Sequence, residues 1–232
     1  MRYVVIGNSA AGVSAAWAIR RRCPAAEIES IGNEAHPVYS RIMLIYWIAS
    51  RVARNDLLLK SSDDYTASNI TACLNEEVEE IDPKTHRLKT SRRAGVAYDR
   101  LLAATGASAV RPEIPGVHLN GVETLRSLED AERILSRVCQ GSTVVVVGGG
   151  LIGVRTAEAM STRGMKVHIV VSSDGILSQM LDPQSAGILF QRIRNHGIDA
   201  RLAVDVREFV GRDALEGVRL SDGSFIRTGL AV

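Results

Sequence analysis

The sequence predicts an α/β protein built from two β-α-β units of one type. Near the N-terminus, the apolar run Tyr3-Val4-Val5-Ile6 enters the small-residue turn Gly7-Asn8-Ser9-Ala10-Ala11-Gly12, and helical spacing begins at once behind it. About 140 residues later, Thr143-Val144-Val145-Val146-Val147 enters Gly148-Gly149-Gly150-Leu151-Ile152-Gly153 in the same way, a separation close to one domain length. Such a turn leaves backbone N–H groups unpaired at the start of a helix, where the helix dipole favours an anion. The first turn reads G-x-S-x-x-G, with serine in the middle position, and the second is a strict G-x-G-x-x-G. Either motif alone is a weak signal. Two of them, each between a strand and a helix, point to a protein that holds two dinucleotides by their pyrophosphates.

The elements follow in order. The first helix carries Val13, Ala16, Trp17 and Arg20 on helical spacing and stops at Pro24. The cluster Arg20-Arg21-Arg22 falls in its last turn, where cations complement the dipole, and it reads as a solvated helix end. Ile28 to Ile31 is the second strand. Glu34 lies just beyond it, at the place where an acid is expected to hold a ribose hydroxyl pair. Pro37 to Ala49 reads as a loop entering an apolar, aromatic helix, and Asp56 to Leu59 as a further buried segment. Val78 to Ile81, a turn at Asp82-Pro83-Lys84-Thr85, and Arg87 to Thr90 form short strands. Arg100 to Ala104 is the last strand of the first half, ending at Thr105-Gly106-Ala107. Pro112 and Pro115-Gly116 mark a break, so domains are expected at 1–110 and 111–232. Leu125 to Val138 reads as a helix. After the second glycine turn come a helix through Ala157 and Met160, a strand at Val167 to Val171, and a helix from Gln184 to Asn195. The tail, Val204 to Val210, Val218 to Leu220 and Phe225-Ile226, alternates as an antiparallel meander.

Composition narrows the function classes. The 232 residues are 46% hydrophobic with a formal net charge of +2, so the chain can bury a core and has no electrostatic case for nucleic acid. The longest apolar run, Ile42 to Ala49, is too short to span a bilayer, and the N-terminus has no signal-peptide layout. Three scattered cysteines and five scattered histidines show no metal-ligand spacing. Reduced thiols and a cytoplasmic location are the expectation, with no metal and no membrane.

The motif order now points to a family. G-N-S-A-A-G, then P-V-Y-S-R, then Leu102-Ala103-Ala104-Thr105-Gly106-Ala107 with Pro112 and Ile114-Pro115-Gly116, then Leu125-Arg126-Ser127-Leu128-Glu129-Asp130-Ala131, then G-G-G-L-I-G resembles the pyridine nucleotide-disulfide oxidoreductase superfamily over the whole chain. It is most similar to the branch of rubredoxin reductases, ferredoxin reductases and nitrite reductase flavin modules. The resemblance implies two Rossmann-like, three-layer ββα dinucleotide-binding domains of the glutathione-reductase-like kind, with FAD in the first and NAD(H) or NADP(H) in the second. By motif, Gly7, Ser9, Ala10, Ala11 and Gly12 would surround the FAD pyrophosphate, and Glu34 the adenosine ribose. Arg41 and Arg126 would contact the flavin nucleotide, Val78 would meet the adenine through its backbone, and Ala104, Thr105 and Gly106 would lie beside FAD. Gly148, Gly150, Leu151, Ile152 and Gly153 would cradle the nicotinamide dinucleotide.

The chain departs from the family in five places. Ser40 to Ser50 contains no cysteine where the disulfide reductases carry their redox thiol, so a thiolate relay is disfavoured. Tyr46 replaces a lysine frequent in the ferredoxin reductases, and Arg155 replaces the usual glutamate. Val171 ends the strand where an acid would select NADH, followed by Ser172 and Ser173. After Val232 the family continues with the return half of the FAD domain and an interface domain, so the FAD domain is expected to be incomplete. No side chain stands out as a general acid or base. The expected activity is NAD(P)H-dependent flavin reduction, with electrons passed to a redox protein or a small acceptor. A homo-oligomer is compatible with the resemblance. Two alternatives stay open: a non-catalytic fragment with at most dinucleotide binding, and a thiol-dependent reductase of the coenzyme A disulfide reductase kind using Cys23 or Cys73.

Overall fold

Continuously buried central strands build each half of the molecule. The computed structural model describes residues 1–232. In chain order the elements begin with β1 (Arg2–Ile6), α1 (Ala10–Arg22), β2 (Glu27–Ile31), α2 (Leu44–Ile48), α3 (Ser62–Ala67) and β3 (Thr71–Cys73). The strands β4 (Val78–Asp82), β5 (Arg87–Thr90), β6 (Val96–Ala97) and β7 (Arg100–Ala103) follow, then α4 (Leu128–Leu135), β8 (Thr143–Val147), α5 (Leu151–Thr162) and β9 (Lys166–Val171). The chain closes with α6 (Pro183–Asn195), β10 (Asp199–Leu202), β11 (Val206–Gly211), β12 (Leu215–Leu220) and β13 (Phe225–Arg227).

These elements form two compact units. The first comprises Met1–Ser40 with Arg54–Ala107, and the second Arg41–Ala53 with Ser108–Val232. In the first unit a parallel sheet of order β3-β2-β1-β7 is flanked on its two sides. Val5 faces α1 and packs with Ala16 and Ile28. Val4 and Ile6 face the opposite way, toward Leu88, Val96 and Tyr98 of the antiparallel β4-β5-β6 region. A strand covered on both sides needs a continuous apolar run, which is why β1 reads V-V-I rather than alternating. Each buried Val or Ile adds about 1.5–3 kcal/mol to folding.

The second unit repeats the plan. The parallel order is β10-β9-β8, and Ala231 bridges Val145 to extend the sheet on the far side of β8. Val145 and Val170 pack against Phe209, Val218 and Ile226 of the antiparallel β11-β12-β13 meander. Both units therefore have helix, parallel sheet and antiparallel sheet in three layers, as the sequence predicts.

Local signals set several ends. Ser127 and Asp130 form a reciprocal capping box at α4, so that helix starts at Leu128 rather than at Leu125. Asp182 caps α6, with Pro183 at its first position. Other expectations are corrected. Only Leu57 of the 56–59 segment is buried, while Leu58 and Leu59 are exposed. The apolar stretch after Pro37 yields a 3₁₀ turn over Arg41–Met43 and the short α2, burying Leu44 and Ile48 and leaving Ile42 78% exposed. Strand β10 is an element that sequence pattern does not signal.

Candidate functional site

The two glycine turns are built on the same backbone plan. Gly7 has φ +112° and donates its N–H to the Ile31 carbonyl at 2.7 Å. Gly148 has φ +111° and donates to the Val170 carbonyl at 2.8 Å. Such positive φ values favour glycine. The third position of each motif is closed by contact. A Cβ on Gly12 would lie 1.8 Å from the Gly7 carbonyl oxygen, and one on Gly153 would lie 2.1 Å from the Gly148 carbonyl oxygen. Glycine at both places lets the helix start fold down onto its own turn.

Ser9 is the N-cap of α1 and Gly150 of α5, both with extended backbone. The N–H groups of Ala10, Ala11 and Gly12, and those of Leu151, Ile152 and Gly153, thus belong to helix first turns, where no intrahelical acceptor exists. Ala10, Ala11, Gly150, Leu151 and Ile152 are exposed. The turns differ in what lies over them. A Cβ on Gly7 would meet the Ala104 carbonyl oxygen at 2.1 Å, whereas Gly148 and Gly150 have no atom within 4 Å of that position.

In the first unit the structure brings Ala104 to the first turn. Its N–H donates to the Ile6 carbonyl at 2.8 Å, and Thr105 and Gly106 follow as exposed residues, Gly106 with φ +72°. Glu34 lies on the loop after β2, where its Oε2 accepts a hydrogen bond from Tyr39 Oη at 2.5 Å. Val78 opens β4, paired in register with Thr90. Sequence reasoning missed Asn8 and Tyr65. Tyr65 Oη donates to Asn8 Oδ1 at 2.6 Å, and Asn8 Nδ2 donates to the His36 carbonyl at 3.3 Å. No motif links residues 57 positions apart, so spacing alone could not have found that pair.

In the second unit, Arg41 and Arg126 come together with the second turn. Arg41 Nη1 donates to the Arg126 carbonyl at 2.9 Å. Both arginines line a largely apolar cavity of about 670 Å³, along with Val147, Gly148, Ile152 and Thr156. Thr156 is 1% exposed and its hydroxyl has no hydrogen-bond partner. Arg41 is in this unit because its segment docks there: Arg163 Nε donates to the Ile48 carbonyl at 2.6 Å, and Arg51 pairs with Glu158 at 3.0 Å. The units therefore divide after Ala107, with 41–53 transferred to the second, where the sequence suggested one cut after residue 110.

Three further residues are fixed by their contacts. Arg155 pairs with Glu158 and lies over the Tyr46 ring, 5.4 Å from its centroid. Arg20 is no free helix end, since it donates to the carbonyls of Ser68 at 2.9 Å, Pro24 at 2.6 Å and Asn69 at 2.5 Å. Val171 closes over the backbone at Gly149, where a Cβ would meet its Cγ1 at 2.7 Å, so the end of β9 presents a buried methyl surface and no carboxylate.

A polar cluster lies beside β2. Glu29 pairs with Arg2 at 2.8 Å and Arg93 at 2.5 Å, and Glu76 pairs with Arg93 at 2.7 Å and accepts from Thr90 Oγ1 at 2.5 Å. Burial alone would raise both carboxyls, but the hydrogen bonds from Arg2, Arg93 and Cys73 to Glu29, and from Arg93 and Thr90 to Glu76, hold them below the usual range. Cys73 donates to Glu29 at 3.3 Å. Burial and that hydrogen bond push its thiol up to about 11, so it stays protonated at neutral pH. Cys23 and Cys139 are exposed and unbridged. No helix is long and apolar enough to cross a membrane.

Comparison with known proteins agrees with this architecture. The chain is 32% identical to a rubredoxin-NAD(+) reductase of Ectopseudomonas oleovorans, covering 100% of this chain and 61% of that one. It is 30% identical to an assimilatory nitrate reductase electron transfer subunit of Bacillus subtilis (strain 168), covering 100% of this chain and 30% of the relative. Among solved structures, an NAD-dependent persulfide reductase from A. fulgidus superposes with a TM-score of 0.95 at 28% identity, over 100% of this chain and 45% of that one. The chain thus spans less than two thirds of the length of these relatives. The pyridine nucleotide-disulphide oxidoreductase model matches residues 1–232, and the chain belongs to that family of dinucleotide-dependent oxidoreductases.

Proposed function

We propose that this chain binds FAD at the first glycine turn and NAD(P)H at the second, and that it serves an oxidoreductase that passes electrons to a redox protein or small acceptor without a thiol relay. The observation that carries this reading is the duplication of one backbone plan. Each turn combines a positive-φ glycine, a third glycine whose Cβ would strike the first glycine's carbonyl, and a helix start whose first N–H groups have no intrahelical acceptor. A pyrophosphate fits that geometry because it accepts those N–H groups and sits at the positive end of the helix dipole.

Glu34, held by Tyr39 on the loop after β2, would accept from the ribose hydroxyl pair. The open space over Gly148 and Gly150 leaves room for a dinucleotide backbone at the second. Arg41 and Arg126, the expected flavin-nucleotide contacts, bring positive charge to an apolar cavity lined also by Gly148 and Gly150, and Thr156 offers it an unpaired hydroxyl. Bound there, the cofactors supply hydride transfer and electron carriage, while the protein supplies alignment and a water-poor surround. With Val171 at the end of β9 and exposed Ser172 after it, no carboxylate opposes a 2′-phosphate at that position, so both NADH and NADPH are accepted. The protonated Cys73 thiol and the absence of cysteine from residues 40–50 support the flavin-only route over a thiol relay.

The test is direct. The purified chain is titrated with FAD, and the bound flavin is then exposed anaerobically to NADH or NADPH. Bleaching of the flavin band by either nucleotide is the expected result. Failure to take up added FAD overturns the reading, and uptake without bleaching leaves a binding module in its place.

A further inference from the structure

Asn8 occupies a position that the G-x-S-x-x-G motif leaves unspecified, yet its side-chain amide is held at both ends. Tyr65 is 2% exposed, on α3, far from the motif in sequence. Its hydroxyl accepts from the Val38 N–H at 3.3 Å and therefore turns its own proton to Asn8 Oδ1, 2.6 Å away. That fixes the amide orientation and leaves Nδ2 to donate to the His36 carbonyl at 3.3 Å. Gly32 completes the seat, because a Cβ there would come within 2.8 Å of Asn8 Cβ. The ring of Tyr65 is held edge-on by Trp17, with centroids 4.9 Å apart.

His36 and Val38 belong to the loop that carries Glu34, whose carboxylate is held by Tyr39 of the same loop. The Asn8 amide thus ties the phosphate-facing turn to the loop bearing the ribose-facing carboxylate. We propose that Asn8 and Tyr65 are positioning residues that keep the pyrophosphate turn and Glu34 in register, so that FAD meets both at once. The inference rests on the reading of the first turn as the FAD site. The two residues act only through the turn and the loop and touch no cofactor. The second turn has valine-packed Gly149 at the corresponding position and lacks this brace, so the effect is confined to one site.

The experiment compares Tyr65→Phe, which keeps the ring against Trp17, with Asn8→Ala and the double variant. FAD binding is followed by quenching of flavin fluorescence, NADH binding by titration calorimetry, and folding by thermal unfolding without ligand. Removing the hydroxyl leaves the Val38 N–H and Asn8 Oδ1 without a partner, so each single variant is expected to bind FAD roughly tenfold more weakly. NADH affinity is expected within about twofold of the original, and the double variant no weaker for FAD than the weaker single, because one brace is lost once. Unchanged FAD affinity in Tyr65→Phe overturns the proposal. So does equal weakening at both sites, which signals general loosening, and so do additive losses. An unsubstituted chain that takes up no FAD overturns the underlying assignment itself, a result separable from all of these.

Discussion

Arg93→Ala removes the guanidinium shared by the two buried carboxylates of the first unit. Its guanidinium faces two carboxylates that are nearly inaccessible, Glu29 at 4% and Glu76 at 5% exposure. Removing one partner of a buried pair costs about 3–5 kcal/mol, because the remaining charge stays buried and uncompensated. Two features reduce that figure here. Glu29 keeps Arg2 at 2.8 Å, and the Arg93 side chain is itself 36% exposed, so water screens part of the interaction. A loss of about 2–3 kcal/mol follows. Urea unfolding read by Trp17, in a Trp47→Phe background, isolates the first unit, since Trp17 and Trp47 are the only tryptophans and lie in different units. The pH dependence gives a second handle. Both carboxyls are held low in the folded state, so their contribution is complete above the unfolded value near 4.3 and is lost as pH falls through the lower folded values. The penalty of Arg93→Ala should therefore be largest above about pH 5 and shrink below about pH 4. A penalty under about 0.5 kcal/mol at pH 7 would show that solvent screens the cluster, and would refute the reasoning.

Three other outcomes are expected. Gly12→Ala, whose Cβ would meet the Gly7 carbonyl oxygen at 1.8 Å, should lower the thermal midpoint by an amount corresponding to about 1–3 kcal/mol, whereas Gly150→Ala, with nothing within 4 Å, should fold normally and weaken only NAD(P)H binding by calorimetry. Replacing Cys23, Cys73 and Cys139 together by serine should leave the anaerobic rate of flavin reduction unchanged, and a large drop would restore the thiol reading. Arg155→Glu sets a carboxylate beside Glu158 and removes the cation over Tyr46, so denaturant unfolding should show a loss of about 1 kcal/mol, and no change would mark Arg155 as solvated.

The amino-acid sequence by itself determined the two glycine turns and the strands that feed them, while the Ser127–Asp130 cap, equally local, went unread and moved the start of α4 to Leu128. Each of these depends on neighbours within a few positions. A β-branched run favours a strand wherever it lies, and only glycine suits the positive φ at Gly7 and Gly148. The three-layer plan was legible through the family resemblance that those motifs carry, and the continuous apolar run of β1 fits a sheet covered on both faces. Tertiary structure alone decided which distant groups meet. It placed the Arg41–Ala53 segment with the second unit, since the partners of that segment, Glu158 and Arg163, lie more than a hundred positions away in sequence. It turned Glu29, a carboxylate in the middle of a buried strand, into the partner of Arg2 and Arg93. It also set Tyr65 against Asn8, giving an unspecified motif position a fixed orientation. Charge pairs and buried hydrogen bonds leave no periodic trace in sequence. They form only where sheet order and register bring donor and acceptor within about 3 Å.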